Sequence, residues 1–315
     1  MRRFPFWQFD RPLKRLLSFA LLLCIGAIGV SCTTPFTSNA PPSKTTPANT
    51  QTLQVAVIPA RSSAEQKQQL ESLSAYLQKT LNRPVNVQIA ENYDAAVDLL
   101  VNEKVEMAYL GALTYLKARE RNVHLEPLVL PIEQISGRPW YTGVIVSATS
   151  EGIKTLSDLK GKRFAFVSPS STTGFLMPMD GFQKQGIDPT QDFSGIRYSG
   201  SHDKAIANLI EGTVDAIAVE KAVFLKSQRE GNLDSSRYQM IWESEPIPTT
   251  PIVINTTKFS PEAIIQLKQA LVDAPKGLVD GNGSKSNGYT VGKDSDFEII
   301  RQIYLRLKTV TVPEK

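Results

Sequence analysis

The chain has 315 residues, 41% of them hydrophobic, with 35 basic and 31 acidic side chains for a formal net charge of +4. That length is enough for a large buried core or for two domains. The charge excess sits in the first 31 residues, which carry Arg2, Arg3, Arg11, Lys14 and Arg15 against Asp10. The remainder is close to neutral, so the basic balance is no nucleic-acid footprint. Both cysteines, Cys24 and Cys32, fall in or at the end of the same segment. The rest of the chain therefore has no thiol for a disulfide, a nucleophile or a zinc cluster.

In chain order, the basic start leads into the apolar run Leu16–Val30 and then Ser31-Cys32. This is the pattern of a secretory signal over residues 1–31, with Cys32 as the lipid-modified first residue of a bacterial lipoprotein. Gly29 departs from the branched residue usual three places before such a cysteine. The other reading is an uncleaved membrane anchor, for which the apolar run is short. Residues 32–51 are rich in Pro, Ser, Thr, Asn and Ala. Such a composition cannot bury a core and reads as a flexible tether.

From Leu53 the pattern alternates between strand and helix. Leu53–Ile58 is an apolar strand stopped by Pro59, and Leu70, Leu73, Leu77 and Leu81 mark one helix face. Val85, Val87 and Ile89 alternate as a strand, followed by a helix over Ala95–Val101, a strand over Val105–Leu110 and a helix over Ala112–Arg121. This order predicts a mostly parallel sheet with helices on both sides. Trp140–Ala148 is a long strand-like run. After it come strand Arg163–Val167, a helix to Gln185, helix Lys204–Glu211, strand Asp215–Val219, helix Lys221–Arg229 and strand Tyr238–Trp242. Pro246, Pro248 and Pro251 precede Ile252-Val253-Ile254, and helices follow at Pro261–Leu271 and Phe297–Leu307.

A weak internal repeat connects the halves. Val105-Glu106 and Tyr115-Leu116-Lys117 reappear 109 residues later as Val214-Asp215 and Phe224-Leu225-Lys226. Chance similarity between βα units is the other explanation. A true repeat means two α/β lobes, placed at 52–143 plus 250–315 and at 144–249, with Trp140–Ala148 and the proline-rich stretch as the crossings. Loops at the carboxyl ends of the strands then share one crevice, as ligand sites in open α/β sheets do.

The run Ser170-Ser171-Thr172-Thr173-Gly174 follows the strand Phe164–Val167 and opens a helix. Two readings stand side by side. One is an ordinary Ser/Thr helix cap. The other is a cradle in which hydroxyls and unpaired first-turn N–H groups hold a tetrahedral oxyanion without Lys or Arg. His202 precedes a helix and is placed to face the same anion, whereas His124 has no motif around it. Asp215 opens its strand and reads as structural. Tyr109 and Tyr115 read as core aromatics, and Arg138 and Lys162 as solvated.

The stretch from Asp158 to Val167, continued by Ser171-Thr172-Thr173-Gly174-Phe175-Leu176-Met177-Pro178, resembles the phosphonate- and phosphite-binding proteins of ABC importers. So do Ser199-Gly200-Ser201-His202-Asp203, Gly212-Thr213-Val214-Asp215-Ala216, and Val105–Gly111 with Tyr115. The likeness covers roughly residues 53–307. It implies an α/β, type II periplasmic-binding-protein fold, with two lobes and a hinge that close on a ligand in the cleft. It also implies that Ser171, Thr172 and Thr173 hold the phosphonate oxygens, Thr173 standing where the family usually has Ser. Tyr93 and Tyr141 match cleft tyrosines, His202 matches an oxyanion contact, and Glu220 stands at a position that is usually acidic and often Asp.

A carboxylate at Glu220 can only accept, so it must meet a donor. A phosphonate or phosphite that keeps one proton, or an aminoalkyl substituent, supplies one. The expected function is an extracytoplasmic solute-binding lipoprotein of an ABC importer. It captures phosphonate, phosphite or a related small phosphorus oxyanion and delivers it to the permease. The expected protein is a monomer, held in the periplasm or cell envelope by a lipid at Cys32, with no nucleic-acid partner. A sulfonate or pyrimidine precursor as the solute, or a ligand-sensing domain for a membrane partner, are the rivals. The sequence holds no Gly-x-Ser-x-Gly elbow, P-loop, Gly-x-Gly-x-x-Gly or His-Glu-x-x-His, so no catalytic residue, cofactor or metal is expected.

Overall fold

The computed structural model describes residues 51–61, 63–278 and 284–314. The signal, Cys32 and the tether up to residue 50 lie outside them. The first half of the body supplies β1 (Leu53–Val57), α1 (Ser63–Leu81), β2 (Val85–Ile89), α2 (Tyr93–Val101), β3 (Met107–Tyr109), α3 (Ala112–Arg121) and β4 (Leu125–Glu133). After β5 (Trp140–Tyr141) and β6 (Gly143–Ala148) come β7 (Arg163–Phe166), α4 (Met177–Lys184), α5 (Pro189–Asp192), β8 (Gly195–Tyr198), α6 (His202–Ile210), β9 (Ala216–Glu220), α7 (Lys221–Arg229) and β10 (Tyr238–Glu243). The chain ends with β11 (Ile247–Pro248), β12 (Ile252–Asn255), α8 (Pro261–Val272), β13 (Ser286–Val291) and α9 (Glu298–Leu307).

Two sheets result. The first has the order β13-β4-β12-β3-β1-β2 and the second β10-β6-β9-β7-β8. Five strands of one match five of the other in order and direction. In the first, β1 runs parallel to β2 and β3, and β12 lies antiparallel between β3 and β4. In the second, β7 runs parallel to β8 and β9, and β6 lies antiparallel between β9 and β10. The 109-residue offset seen in the sequence places β3 on β9 and α3 on α7.

A hydrogen-bond pair repeats as well. Gln54 N–H donates to Glu106 Oε2 at 2.8 Å, and Arg163 N–H donates to Asp215 Oδ2 at 2.8 Å. Each acid thus ties the entry of its strand to the parallel neighbour, so Asp215 is structural. Arg163 also pairs with it through the guanidinium.

The sheets are mixed rather than mostly parallel, for a topological reason. The central antiparallel strand of each sheet, β12 or β6, is the strand on which the chain enters that sheet after crossing from the other, and β13 adds an antiparallel edge to the first. The crossings run between β4 and β6 and between β10 and β12, and the short strands β5 and β11 pair with each other there.

Strand β4 went unrecognised because Pro127 and Pro131 interrupt its apolar pattern, although proline is tolerated where no ladder donor is needed. Strands β8 and β13 have too little alternation to be read from sequence.

Under β7 the rings of Phe164, Phe166, Phe182 and Phe193 interlock, with centroids 4.8 Å apart for Phe164–Phe166 and 5.3 Å for Phe182–Phe193. Each buried ring contributes about 1.5–3 kcal/mol. Together they fix α4 on the sheet. Helix α9 packs against α3 of the first lobe and α4 of the second. Tyr109 and Tyr115 are fully buried, and Tyr115 donates its hydroxyl to Asp294.

Candidate functional site

The proposed ligand residues sit at or just beyond the carboxyl ends of parallel strands or beside them. Tyr93 follows β2, Ser171–Thr173 follow β7, His202 follows β8 and Glu220 ends β9. The loop Ala60-Arg61 follows β1 and Gly111 follows β3. This is where an open α/β sheet presents backbone N–H groups and helix N-termini.

The hydroxyl run caps the turn that it opens and also reaches the other lobe. Thr172–Leu176 forms one wide turn in which Leu176 N–H donates to Ser171 O at 3.1 Å, five residues back, and α4 continues from it. Such π-type turns recur at functional sites. Ser171 Oγ accepts from Gly174 N–H at 3.0 Å, as a cap does. Thr172 Oγ1 accepts from Leu113 N–H at 3.0 Å, in the first turn of α3 on the other lobe. A hydroxyl that accepts from a backbone N–H keeps its own hydrogen to donate. Thr173 backs onto Gly143, where a built Cβ would lie 2.9 Å from Thr173 O. Gly143 in turn pairs with Glu220 across β6 and β9.

His202 follows the same logic. Ser201 caps α6 by accepting from Lys204 N–H at 3.3 Å, so the helix starts at His202, two residues earlier than the sequence suggests. The His202 N–H crosses the cleft to Ala60 O at 3.1 Å. Its Nδ1 accepts from Glu220 N–H at 3.2 Å, which leaves Nε2 to carry the proton. Burial, reinforced by the nearby Arg61 charge, pushes His202 down to about 3. The imidazole is therefore a neutral donor, and any attraction for an anion comes through its N–H.

Tyr93 is the first residue of α2, behind an Asn92 cap whose Oδ1 accepts from Ala95 N–H at 2.8 Å. Its ring is buried, and its hydroxyl lies against Ser171 and near Glu220 and Asp203. No described residue meets full hydrogen-bond geometry with that oxygen, although the Ser171 side chain is near enough to oppose the rise in its pKa. Burial raises its pKa well above the ordinary phenol value, so it stays a donor. A buried polar group without a partner costs about 1–3 kcal/mol, which an acceptor oxygen offsets.

Glu220 is buried at 4% exposure and ends β9 against Gly143. Tyr141 is buried in β5, two residues before Gly143, and lines an open hollow of about 460 Å³ with Trp140, Glu133 and Lys221. Ser171, His202, Glu220 and Tyr93 are thus brought together directly and Thr173 through Gly143, whereas Tyr141 lines a hollow that contains none of them. His124 and Arg138 are exposed, and Lys162 pairs with Glu151.

Sequence reasoning passed over Arg61, which is only 3% exposed and close enough to His202 to shift it. Its signal was its place after β1, which the repeat equates with the hydroxyl run after β7. Among the described residues no three His, Cys, Asp or Glu side chains gather as metal ligands, and no helix is long and apolar enough to cross a membrane.

The profile of the family described as "ABC transporter, phosphonate, periplasmic substrate-binding protein" matches residues 55–297. The phosphate-import protein PhnD of Mycolicibacterium smegmatis is 27% identical over 300 residues, covering 89% of this chain and 92% of that protein. The phosphonates-binding periplasmic protein of Escherichia coli is 28% identical over 192 residues, covering 56% and 53%. Among solved structures, PhnD1 of Prochlorococcus marinus in complex with methylphosphonate superposes with a TM-score of 0.72 at 21% identity, covering 82% of this chain and 99% of that one. The two-lobed periplasmic-binding fold is shared. With a match that runs from β1 to the start of α9, this chain belongs to the family of periplasmic substrate-binding proteins of phosphonate ABC transporters.

Proposed function

We propose that this chain captures a small phosphorus oxyanion, phosphite or a short phosphonate, between its lobes and hands it to an ABC permease, bound to the membrane by a lipid on Cys32. One observation carries the ligand class. Ser171, Thr172 and His202 each have their acceptor atom engaged by a backbone N–H, at 3.0, 3.0 and 3.2 Å. Each keeps its hydrogen to donate. Tyr93 adds a buried hydroxyl, so the cleft offers fixed donors to a group made only of acceptors, at little reorganisation cost.

Glu220 sets the protonation state. Its carboxylate is an acceptor, to which a monoprotonated phosphite or phosphonate can donate through P–OH and an aminoalkyl group through its ammonium. A sulfonate has no such hydroxyl to offer the carboxylate. The chain works as a monomer and binds without bond-breaking, so incubation with phosphonates releases no phosphate.

Titration calorimetry of the purified chain against phosphite, methylphosphonate, aminoethylphosphonate, phosphate and a sulfonate tests the reading. Heat with at least one phosphorus oxyanion is expected. Heat with the sulfonate alone, or with none, overturns it.

Glu220→Gln gives a sharper check, because an amide donates as well as accepts. The parent affinity for phosphite is expected to fall as pH rises past the ligand's second ionisation, and in the variant that fall is expected to disappear. The loss of one charged hydrogen bond also weakens binding of the monoprotonated ligand by about tenfold or more. An unchanged pH profile in the variant removes Glu220 from the ligand.

A further inference from the structure

Three side chains outside the cradle meet where the lobes touch. Ser170 lies immediately before Ser171 and is fully buried. Asp94 lies immediately after Tyr93, in the first turn of α2. Lys117 lies on α3, one helical turn beyond Leu113. Lys117 Nζ donates to Ser170 Oγ at 2.6 Å, and Ser170 Oγ donates to Asp94 Oδ1 at 2.6 Å. Lys117 and Asp94 also pair at 3.8 Å. The serine hydroxyl comes from the second lobe and both charges from the first, so neither bond survives when the lobes part.

Each member is linked to a residue at the cleft. Ser170 and Asp94 are chain neighbours of Ser171 and Tyr93, and Lys117 shares α3 with the Leu113 N–H that Thr172 engages. We propose that Asp94, Ser170 and Lys117 form a latch that holds the closed cleft and sets how long the ligand stays. They are positioning residues, for none is placed on the ligand.

The physical case rests on the burial of Ser170 and of most of Lys117, and on the direction of each bond; the Asp94 side chain is 62% exposed. A hydroxyl that accepts from an ammonium and donates to a carboxylate has both bonds charge-assisted. Most of the Lys117 side chain is withdrawn from water, and desolvation lowers its pKa, with Asp94 and Glu120 opposing. An ammonium held in this way gains most from the serine oxygen when closure has removed the water. Ser170 alone cannot bring the helices together, but the ligand does so by drawing Ser171 and Tyr93 to common oxygens. The latch then adds its bonds to a geometry already organised, the condition under which they act on dissociation rather than on encounter.

This inference rests on the ligand reading above, and its test separates the two. The full-length chain in mild detergent, its Ser170→Ala and Asp94→Asn variants and the double variant are mixed with phosphite and with methylphosphonate in stopped flow. Ser170→Ala is expected to raise the dissociation rate and Kd by about ten- to hundredfold, with the association rate within about twofold. The double variant should lose little more than Ser170→Ala, since the two act as one unit. The midpoint of thermal unfolding without ligand should stay put, because an open cleft lacks the latch.

Unchanged dissociation, or a ligand-free midpoint that falls with the affinity, overturns the latch and makes the cluster ordinary packing. If the parent chain binds neither probe, the ligand reading fails, and the latch, which needs a ligand to close the lobes, falls with it. If the parent binds and Ser170→Ala releases the ligand no faster, the latch alone fails.

Discussion

Gly174→Ala is expected to remove ligand binding by about a hundredfold or more while the fold persists. A Cβ at this position falls 2.5 Å from Val167 Cβ and Cγ2 and 2.9 Å from Ser171 Oγ. Neither neighbour has room to yield. Val167 is fully buried and branched at Cβ, and its N–H donates to Gly174 O at 3.0 Å, which pins the two backbones together. Relief requires the turn to lift off β7.

Overpacking of this kind costs about 1–3 kcal/mol of stability, a tolerable share of the usual total. Binding suffers more, because Ser171 Oγ is held by Gly174 N–H and moves with it. A displacement of about 1 Å is enough to lose the alignment of a donor set. Urea unfolding and calorimetry on the same sample separate the two effects. A variant with lost stability and unchanged affinity places the ligand away from this turn.

Acidification is expected to destabilise the protein through His202 well before most carboxylates protonate. In the unfolded chain the imidazole has its ordinary value of about 6.5. In the folded chain burial, with the Arg61 charge behind it, pushes it down to about 3. Between those values the unfolded state binds a proton that the folded state refuses. The stabilisation is therefore complete above about pH 6.5 and falls by about 1.4 kcal/mol per pH unit as the pH drops through this window.

The depressed carboxylates add to the same trend at lower pH. Asp215 and Asp294, held down by Arg163 and by Tyr115 and Arg301, lose their contribution only below about 4. Urea midpoints between neutral pH and about pH 5 thus isolate the histidine. His202→Asn keeps an acceptor for the Glu220 N–H and is expected to flatten the slope. A slope shared by parent and variant assigns it to other groups. Ligand affinity just above neutrality should not depend on His202 titration, since the donor at Nε2 is already the neutral form.

Local rules read the elements well where pattern and propensity agree. The leucine spacing of α1, the alternation in β2 and the apolar β1 gave their elements directly. The prolines in β4 concealed a nine-residue strand because proline is disfavoured in strands in general, yet harmless at positions that need no donor. The two-residue advance of α6 came from the Ser201 cap, and it moved His202 from a loop into a helical first turn. Arg61 was overlooked because a lone arginine after a strand is nearly always solvated. It is buried by contacts distant in sequence, and its guanidinium donates to Ser284 Oγ at 2.7 Å.

The sequence by itself determined the two βα series, their weak repeat and the hydroxyl run, because these depend on periodicity and on contacts between near neighbours in the chain. It also supplied the list of side chains suited to an oxyanion. It did not determine their roles. Whether a hydroxyl caps a helix or donates to a ligand depends on which of its two functions a distant N–H already occupies. Ser171 accepts from Gly174 within the turn, and Thr172 from Leu113 of the other lobe. In the same way the Glu220 N–H, 18 residues away, fixed the histidine tautomer, and Ser170 acquired two charged partners from helices more than fifty residues earlier. Hydrogen bonds are directional and short-ranged, so such pairings exist only once the sheets have brought these strand ends to one cleft.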